Sequence, residues 1–258
     1  MLKGIDISHY AGKVDFNILK DNPDVNFVII KFGQTIDSSP YFELDSNFLE
    51  YYKECKKYKI PIGLYVYTYT NYIRNMELAM AKMFEYIYNY NIDLELPIYL
   101  DLEANELKGE SKETLYELIQ TFCNPIEENG FWAGIYSNLD WYRNVLDGEN
   151  LKNRYTYWLA HYGNFNENKY YNQFDLWQNR ENQKIRGIEG FCDTNIMYRN
   201  LIDEIHNNSQ IQESYFPPCT LNQDSLVDAL KEIGIDSSFS NRKEIARINR
   251  YRKISRYL

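Results

Sequence analysis

The residues best suited to chemistry are Asp101 and Glu103, two carboxyls separated by one leucine at the end of Leu96-Pro97-Ile98-Tyr99-Leu100-Asp101-Leu102-Glu103. The length and apolar composition of that run predict a buried strand of a parallel sheet. Side chains two apart on a strand share a face, with their Cα atoms about 6.6 Å apart. If Leu100 and Leu102 face a helical layer, both acids face the interior. Carboxylates crowded where water is scarce repel, so one keeps its proton towards neutral pH and can serve as a general acid. Such a pair suits cleavage of a glycosidic bond. Asp-x-Glu also ends ordinary strands that reach solvent, so the surrounding elements must place it.

Those elements alternate. Short β-rich runs are predicted at Lys3 to Ser8, Asn26 to Gly33, Pro61 to Thr68, the acid strand, Phe131 to Ser137, Thr156 to His161, Phe174 to Gln178 and Phe191 to Asn195. Amphipathic stretches separate many of them: Phe16 to Lys20, Asp45 or Ser46 to about Tyr58, Arg74 to Tyr90, Ser111 to Glu128 and Trp141 to Leu146. Eight strands with fewer than eight good helices predict an α/β fold, an irregular TIM-like β/α barrel. Working residues of such barrels sit at the C-terminal ends of strands. Those ends supply Asp6, Lys31, Tyr65, Tyr67, Asp101, Glu103, Tyr136, Tyr162, Gln178 and Asp193. Four acids at one mouth repel one another, which makes the cluster costly unless it serves a function.

Composition narrows the class. With 258 residues, 44% hydrophobic and 25% charged, the chain can hold one large domain and a small appendage. No apolar run approaches the ~20 residues that span a bilayer, so no membrane partner is expected. Met1-Leu2-Lys3 leads straight into the first strand without a signal-peptide pattern, which predicts a protein made in the cytoplasm without an export signal. Cys55, Cys123, Cys192 and Cys219 are scattered, arguing against a zinc site or a disulfide framework. Carboxylate chemistry needs no metal, and no cofactor is expected. The 25 Tyr supply flat faces with polar edges, which suit sugar rings.

The texture changes after about residue 205. Residues 206–221 lack periodicity and contain Pro217-Pro218, marks of a linker. Residues 222–258 then predict a small helical module: Asp224 or Ser225 caps a helix carrying Leu226, Val227, Leu230 and Ile233, Gly234 ends it, and a second helix carries Ile245, Ala246 and Ile248. This segment has eight Lys or Arg against five Asp or Glu, hence +3; with −9 overall, residues 1–221 carry −12. A basic tail can bind an anionic polymer, but no aromatic-basic interleaving marks it as a nucleic-acid binder.

The ordered motifs resemble one family. Gly4-Ile5-Asp6-Ile7-Ser8-His9-Tyr10-Ala11-Gly12 is similar to the opening of family-25 glycoside hydrolases, the Chalaropsis-type lysozymes used by bacteriophages and some bacteria. Phe27 to Lys31, Pro61 to Tyr67, the acid strand, Gly134 to Asn138, Trp158 to Tyr162, Leu176 to Gln178 and Gly187 to Asn195 follow in the family's order, so the resemblance covers residues 1–202 or so. It implies a barrel over residues 1–205 that cuts the β-1,4 bond from N-acetylmuramic acid to N-acetylglucosamine in peptidoglycan. Glu103 would be the general acid and later base. Asp101 would orient the substrate's acetamide or attack directly, and Asp6 and Asp193 would complete the acid set. Tyr65, Tyr67, Tyr136 and Trp177 would bind sugar. The tail resembles short wall-binding modules of Gram-positive endolysins and autolysins, which implies a secondary wall polymer as its partner.

Two departures stand out. Ala11 replaces a Gln common in the family's opening, and Tyr99 stands where chitinase-like barrels carry a further Asp. The resemblance implies a phage endolysin acting at the bacterial wall after release. A bacterial autolysin and a silent wall-binding protein are the alternatives.

Overall fold

Strict alternation along the strands sorts side chains into two apolar populations in the computed structural model, which describes residues 1–162, 173–207, 226–232, 234, 236–238 and 242. Ile5, Ile7, Val28, Ile30, Phe32, Ile62, Leu64, Val66, Ile98, Leu100 and Leu102 pack against the helices, whereas Phe27, Ile29, Leu96, Tyr99, Trp158, Leu176 and Met197 fill the barrel. Both strand faces are therefore buried, which is why these strands read as nearly continuous apolar runs.

Nine strands occur among the described residues: β1 Leu2–Ile7, β2 Phe27–Thr35, β3 Phe42–Leu44, β4 Ile62–Tyr67, β5 Ile98–Asp101, β6 Ala133–Asn138, β7 Thr156–Ala160, β8 Leu176–Gln183 and β9 Cys192–Met197. Eight of them close a ring in the order β1-β2-β4-β5-β6-β7-β8-β9, and β3 is an antiparallel addition to β2. From β1 to β8 the ring is parallel. β9 is antiparallel to both β8 and β1. The eight residues 184–191 between β8 and β9 are too few for a parallel crossover, which needs about a dozen or more.

Helices α1 Phe16–Leu19, α2 Phe48–Tyr58, α3 Ile73–Asn89, α4 Lys112–Glu128 and α5 Gly148–Arg154 connect these strands. Ser111 caps α4 by accepting from the Thr114 N–H at 3.1 Å, and Gly130 follows the helix at φ 83°. Neither Asp45 nor Ser46 caps α2. Asp45 instead accepts from the Asn47 N–H at 3.0 Å and lies 2.7 Å from His9 Nδ1. The stretch expected as a helix at 141–146 is a π-turn over Trp141–Val145. Three strands or α-helices have no counterpart in the sequence reading: β3, only three residues long, α5, whose seven residues give too little periodicity to see, and a helix over 201–207.

The chain divides into two compact units, Met1–Ile205 and His206–Leu258. A helix, α6, spans 201–207 and so runs into the first two residues of the expected linker. In the second unit, α7 covers Leu226–Glu232 and Gly234 takes φ 73°. Residues 208–221 of the linker and the second helix expected around Ile245 to Ile248 lie outside the described residues. Among those described, no helix is long and apolar enough to cross a membrane.

Gly134 marks how tightly the barrel is filled. A Cβ there would sit within the Tyr99 ring's van der Waals envelope and 2.6 Å from Thr156 Oγ1. We expect Gly134→Ala to cost about 1–3 kcal/mol by overpacking, measurable as a lower denaturant midpoint. A stability equal to wild type would show that this part of the interior yields.

Candidate active site

Trp158 forms the floor of the barrel mouth. Its ring centroid lies 5.3 Å from that of Tyr99, 4.5 Å from Tyr136 and 6.2 Å from Tyr65, and it is almost wholly buried. Above this aromatic layer the inward positions change from apolar to polar. Asp6 is inward on β1, Lys31 on β2, Tyr65 and Tyr67 on β4, Asp101 on β5, Tyr136 on β6 and Gln178 on β8. Glu103 lies two residues past the end of β5, and the Leu102 N–H continues the ladder by donating to the Tyr136 carbonyl at 3.0 Å.

Asp193 arrives by a different route. It was expected at a strand's C-terminal end, but it is the second residue of β9. It reaches the mouth because β9 runs antiparallel, which sets it opposite Asp6 in the β1–β9 register. A short connection, and not strand chemistry, therefore completes the acid set.

Trp177 does not join the others. Leu176 and Gln178 point inward, so the residue between them points outward. Its indole N–H donates to the His161 carbonyl at 2.9 Å, and its ring is stacked near-parallel on Tyr198 with centroids 6.4 Å apart. Its aromatic character gave no clue to face, but its position one residue from Gln178 did.

Hydrogen bonds tie the acids to neutral partners. Asp6 Oδ2 accepts from Gln178 Nε2 at 2.9 Å and from Asn195 Nδ2 at 2.8 Å. Asn195 Oδ1 in turn accepts from Trp158 Nε1 at 2.8 Å. Asp193 accepts from Gln178 Nε2 at 3.2 Å and from the Asn182 N–H at 2.8 Å. Asp101 differs: its Oδ1 is buried and has no hydrogen-bond partner among the described residues. The sequence motifs assign no individual role to Asn195 or Trp158. Counting by twos from Asp193 and from Ala160 would have placed both inside the barrel.

Burial raises the proton affinity of every acid in the set, and the charge of a nearby carboxylate adds to it. Asp6 is pushed up to about 7, first by burial and then by the Asp193 charge, against the pull of Asn195 and Gln178. Asp101 is raised well above the usual carboxylate range by burial and Glu103, with Lys31 opposing. Glu103 is raised by burial and then by Asp193. Asp193 is raised by burial, with the Asn182 N–H opposing. Lys31 is the cation in this group; burial lowers its own pKa, and its ammonium donates to Gln34 Oε1 at 3.0 Å while lying 5.7 Å from the Tyr67 ring centroid. A mouth of this kind holds protons near neutral pH beside ionisable acceptors, which is the requirement for general acid–base chemistry. Among the described residues no group of three or more His, Cys, Asp or Glu is placed to hold a metal ion.

The family model for glycosyl hydrolases family 25 matches residues 5–188. Solved structures of similar fold include the modular autolysin LytC of Streptococcus pneumoniae in complex with a synthetic peptidoglycan ligand, at 25% identity and TM-score 0.65 over 76% of this chain. The match spans 46% of the autolysin, less than half its length. The CTP1L endolysin shares the fold at 21% identity and TM-score 0.64, over 81% of this chain and 70% of its own. A muramidase from Acremonium alcalophilum does so at 21% identity and TM-score 0.62, over 80% of this chain and 100% of its own. No curated protein sequence matches the chain.

Proposed function

The chain belongs to glycosyl hydrolases family 25, and from that premise we propose that it is an N-acetylmuramidase that cuts the β-1,4 bond from N-acetylmuramic acid to N-acetylglucosamine in peptidoglycan. The observation that carries this reading is the pair of inward carboxyls Asp101 and Glu103, both with raised proton affinity, one of them with a buried oxygen that has no partner among the described residues.

In this mechanism Glu103 protonates the leaving glycosidic oxygen and then, as a carboxylate, activates the attacking water. Asp193 supports the first step, because a negative charge beside Glu103 holds its proton. The unpartnered Asp101 Oδ1 takes the acetamide N–H of the sugar, turning the acetamide oxygen towards the anomeric carbon. A buried acceptor left without a donor is costly, and the substrate supplies one. Asp6, held by Gln178 and Asn195, fixes the negative wall of the cleft. Tyr65, Tyr67 and Tyr136 line its floor and sides and offer hydroxyls to the sugar.

We place this action at the bacterial wall during host lysis, as an endolysin; the likeness to the CTP1L endolysin supports that setting. The likeness to an autolysin supports a bacterial autolysin as the second setting for the same chemistry. The basic segment 222–258 is assigned to an anionic wall polymer on charge alone.

The test is digestion of purified Gram-positive peptidoglycan by the full chain, with new reducing ends identified by mass spectrometry. Reducing muramic acid ends are expected. Reducing glucosamine ends would make it a glucosaminidase. No release from several walls would overturn the reading in favour of a wall-binding protein.

A further inference from the structure

One amide stands at the centre of the acid cluster and has every hydrogen-bonding position filled. Gln178 is buried. Its Nε2 donates to Asp6 Oδ2 at 2.9 Å and to Asp193 Oδ2 at 3.2 Å. Its Oε1 accepts from the Tyr136 hydroxyl at 2.8 Å and from the Tyr162 hydroxyl. A primary amide has two donors and two acceptor positions, so none is left for substrate.

The orientation follows from chemistry. A tyrosine hydroxyl can donate to an amide oxygen, and an ionised carboxylate can only accept. Burial raises both tyrosine pKa values, so both hydroxyls keep their protons and continue to hold the carbonyl on their side. The NH2 is thereby aimed at the two acids, which face each other across β1 and β9.

We propose that Gln178 is a positioning residue that yokes Asp6 and Asp193 through one amide and thereby sets the pH at which this pair takes up a proton. Its two N–H groups stabilise the ionised form of both carboxyls, against burial and their mutual repulsion. Without them the pair would take up a proton at higher pH, and the charge beside Glu103 would weaken. The consequence for Glu103 rests on the muramidase reading; the proton equilibrium of the pair does not.

The other groups facing Asp6 come from several elements. Glu103 adds negative charge from beyond the β5 end, Asp6 in turn raises the proton affinity of Asp101, and Glu181 on β8 adds negative charge beside Asp193. Tyr65, Tyr136, Tyr162 and the Cys192 thiol contribute neutral titratable groups from β4, β6, the residues after β7, and β9. None of them donates a hydrogen bond to Asp6; that role falls to Gln178 and Asn195. Removing Gln178 therefore takes away half of the donors on the Asp6 carboxylate.

The test is a carboxyl-carbon NMR titration of full-length protein labelled at Asp, comparing wild type with Gln178→Met, which keeps length and volume but removes the donors. We expect the Asp6 midpoint to rise by about one pH unit, a tenfold change in proton affinity. The double variant Tyr136→Phe with Tyr162→Phe keeps the amide and all charges but frees its carbonyl side, and its Asp6 midpoint should rise as well. Unchanged midpoints in both would overturn the proposal, and if the Met variant does not fold, the double variant decides alone. A purely structural role would lower stability without moving either midpoint. Should the wild type leave peptidoglycan uncut, the muramidase reading fails while the titration still decides the role of Gln178.

Discussion

Glu103→Gln is expected to lower kcat on peptidoglycan by about 10³-fold, within the 10²–10⁴ that a positioned general acid or base typically contributes. The amide keeps the shape and polarity of the side chain but has no acidic proton to give and no carboxylate to activate water. KM should change little, because the lost interaction belongs to the transition state. Stability should hold or rise, since the substitution removes a half-buried acid whose ionisation burial and Asp193 oppose. The basic limb of the wild-type pH profile should follow the ionisation of Glu103. It should lie above the usual carboxylate range, because burial and the Asp193 charge both favour the protonated form. Activity equal to wild type in a folded Glu103→Gln protein would strip this residue of its acid–base role.

Asp101→Asn should lower kcat by about 10²–10³-fold, the scale seen when one preorganised electrostatic contact to a transition state is lost. Asn retains an oxygen where Asp101 Oδ1 waits unpartnered, so a sugar acetamide can still dock. What disappears is the negative charge that Asp101 can take on once the acetamide N–H donates to it, opposite the positive charge that develops on the acetamide as it attacks. A loss confined to kcat supports this reading. A rise in KM with kcat unchanged would make Asp101 a binding group only. Removal of one carboxyl from the pair should also ease the ionisation of its neighbours, because Glu103 and Asp6 raise the proton affinity of Asp101 and the repulsion is mutual. The acid limb of the profile should therefore move in this variant.

The consequences differ for the two residues because their surroundings differ. Glu103 is beyond the last strand residue of β5 and partly exposed, placed where a leaving group and water can both reach it. Asp101 is the last residue of β5 and almost wholly buried, placed for a fixed contact. Lys31, one strand further round the ring beyond β4, opposes the repulsion on Asp101 from the far side.

Much of this arrangement was legible in the sequence. Apolar runs such as Phe27 to Ile30 and Ile98 to Leu100 have no polar face to expose, so they had to be strands buried on both sides. Period two then carried Asp6, Tyr65, Tyr67, Asp101, Glu103 and Tyr136 to the inside, because side-chain direction on a strand is set by local covalent geometry alone. The order of the motifs identified the family, and the family model matches residues 5–188 within that stretch.

Tertiary structure decided the rest. The direction of β9 depends on how far the chain must travel between strands, so the placing of Asp193 opposite Asp6 was a matter of connection length. Trp177 shows the reverse failure: an aromatic residue in a matching motif, turned outward by the parity of the strand that carries it. The junction at Gln178 on β8 joins β1, β6, β9 and Tyr162, whose residues lie from 15 to 172 positions away, and no local pattern announces it. Residue types and local geometry determined which chemistry this chain could hold; closure of the ring determined which groups share a proton, because electrostatic coupling depends on distance through space and not along the chain.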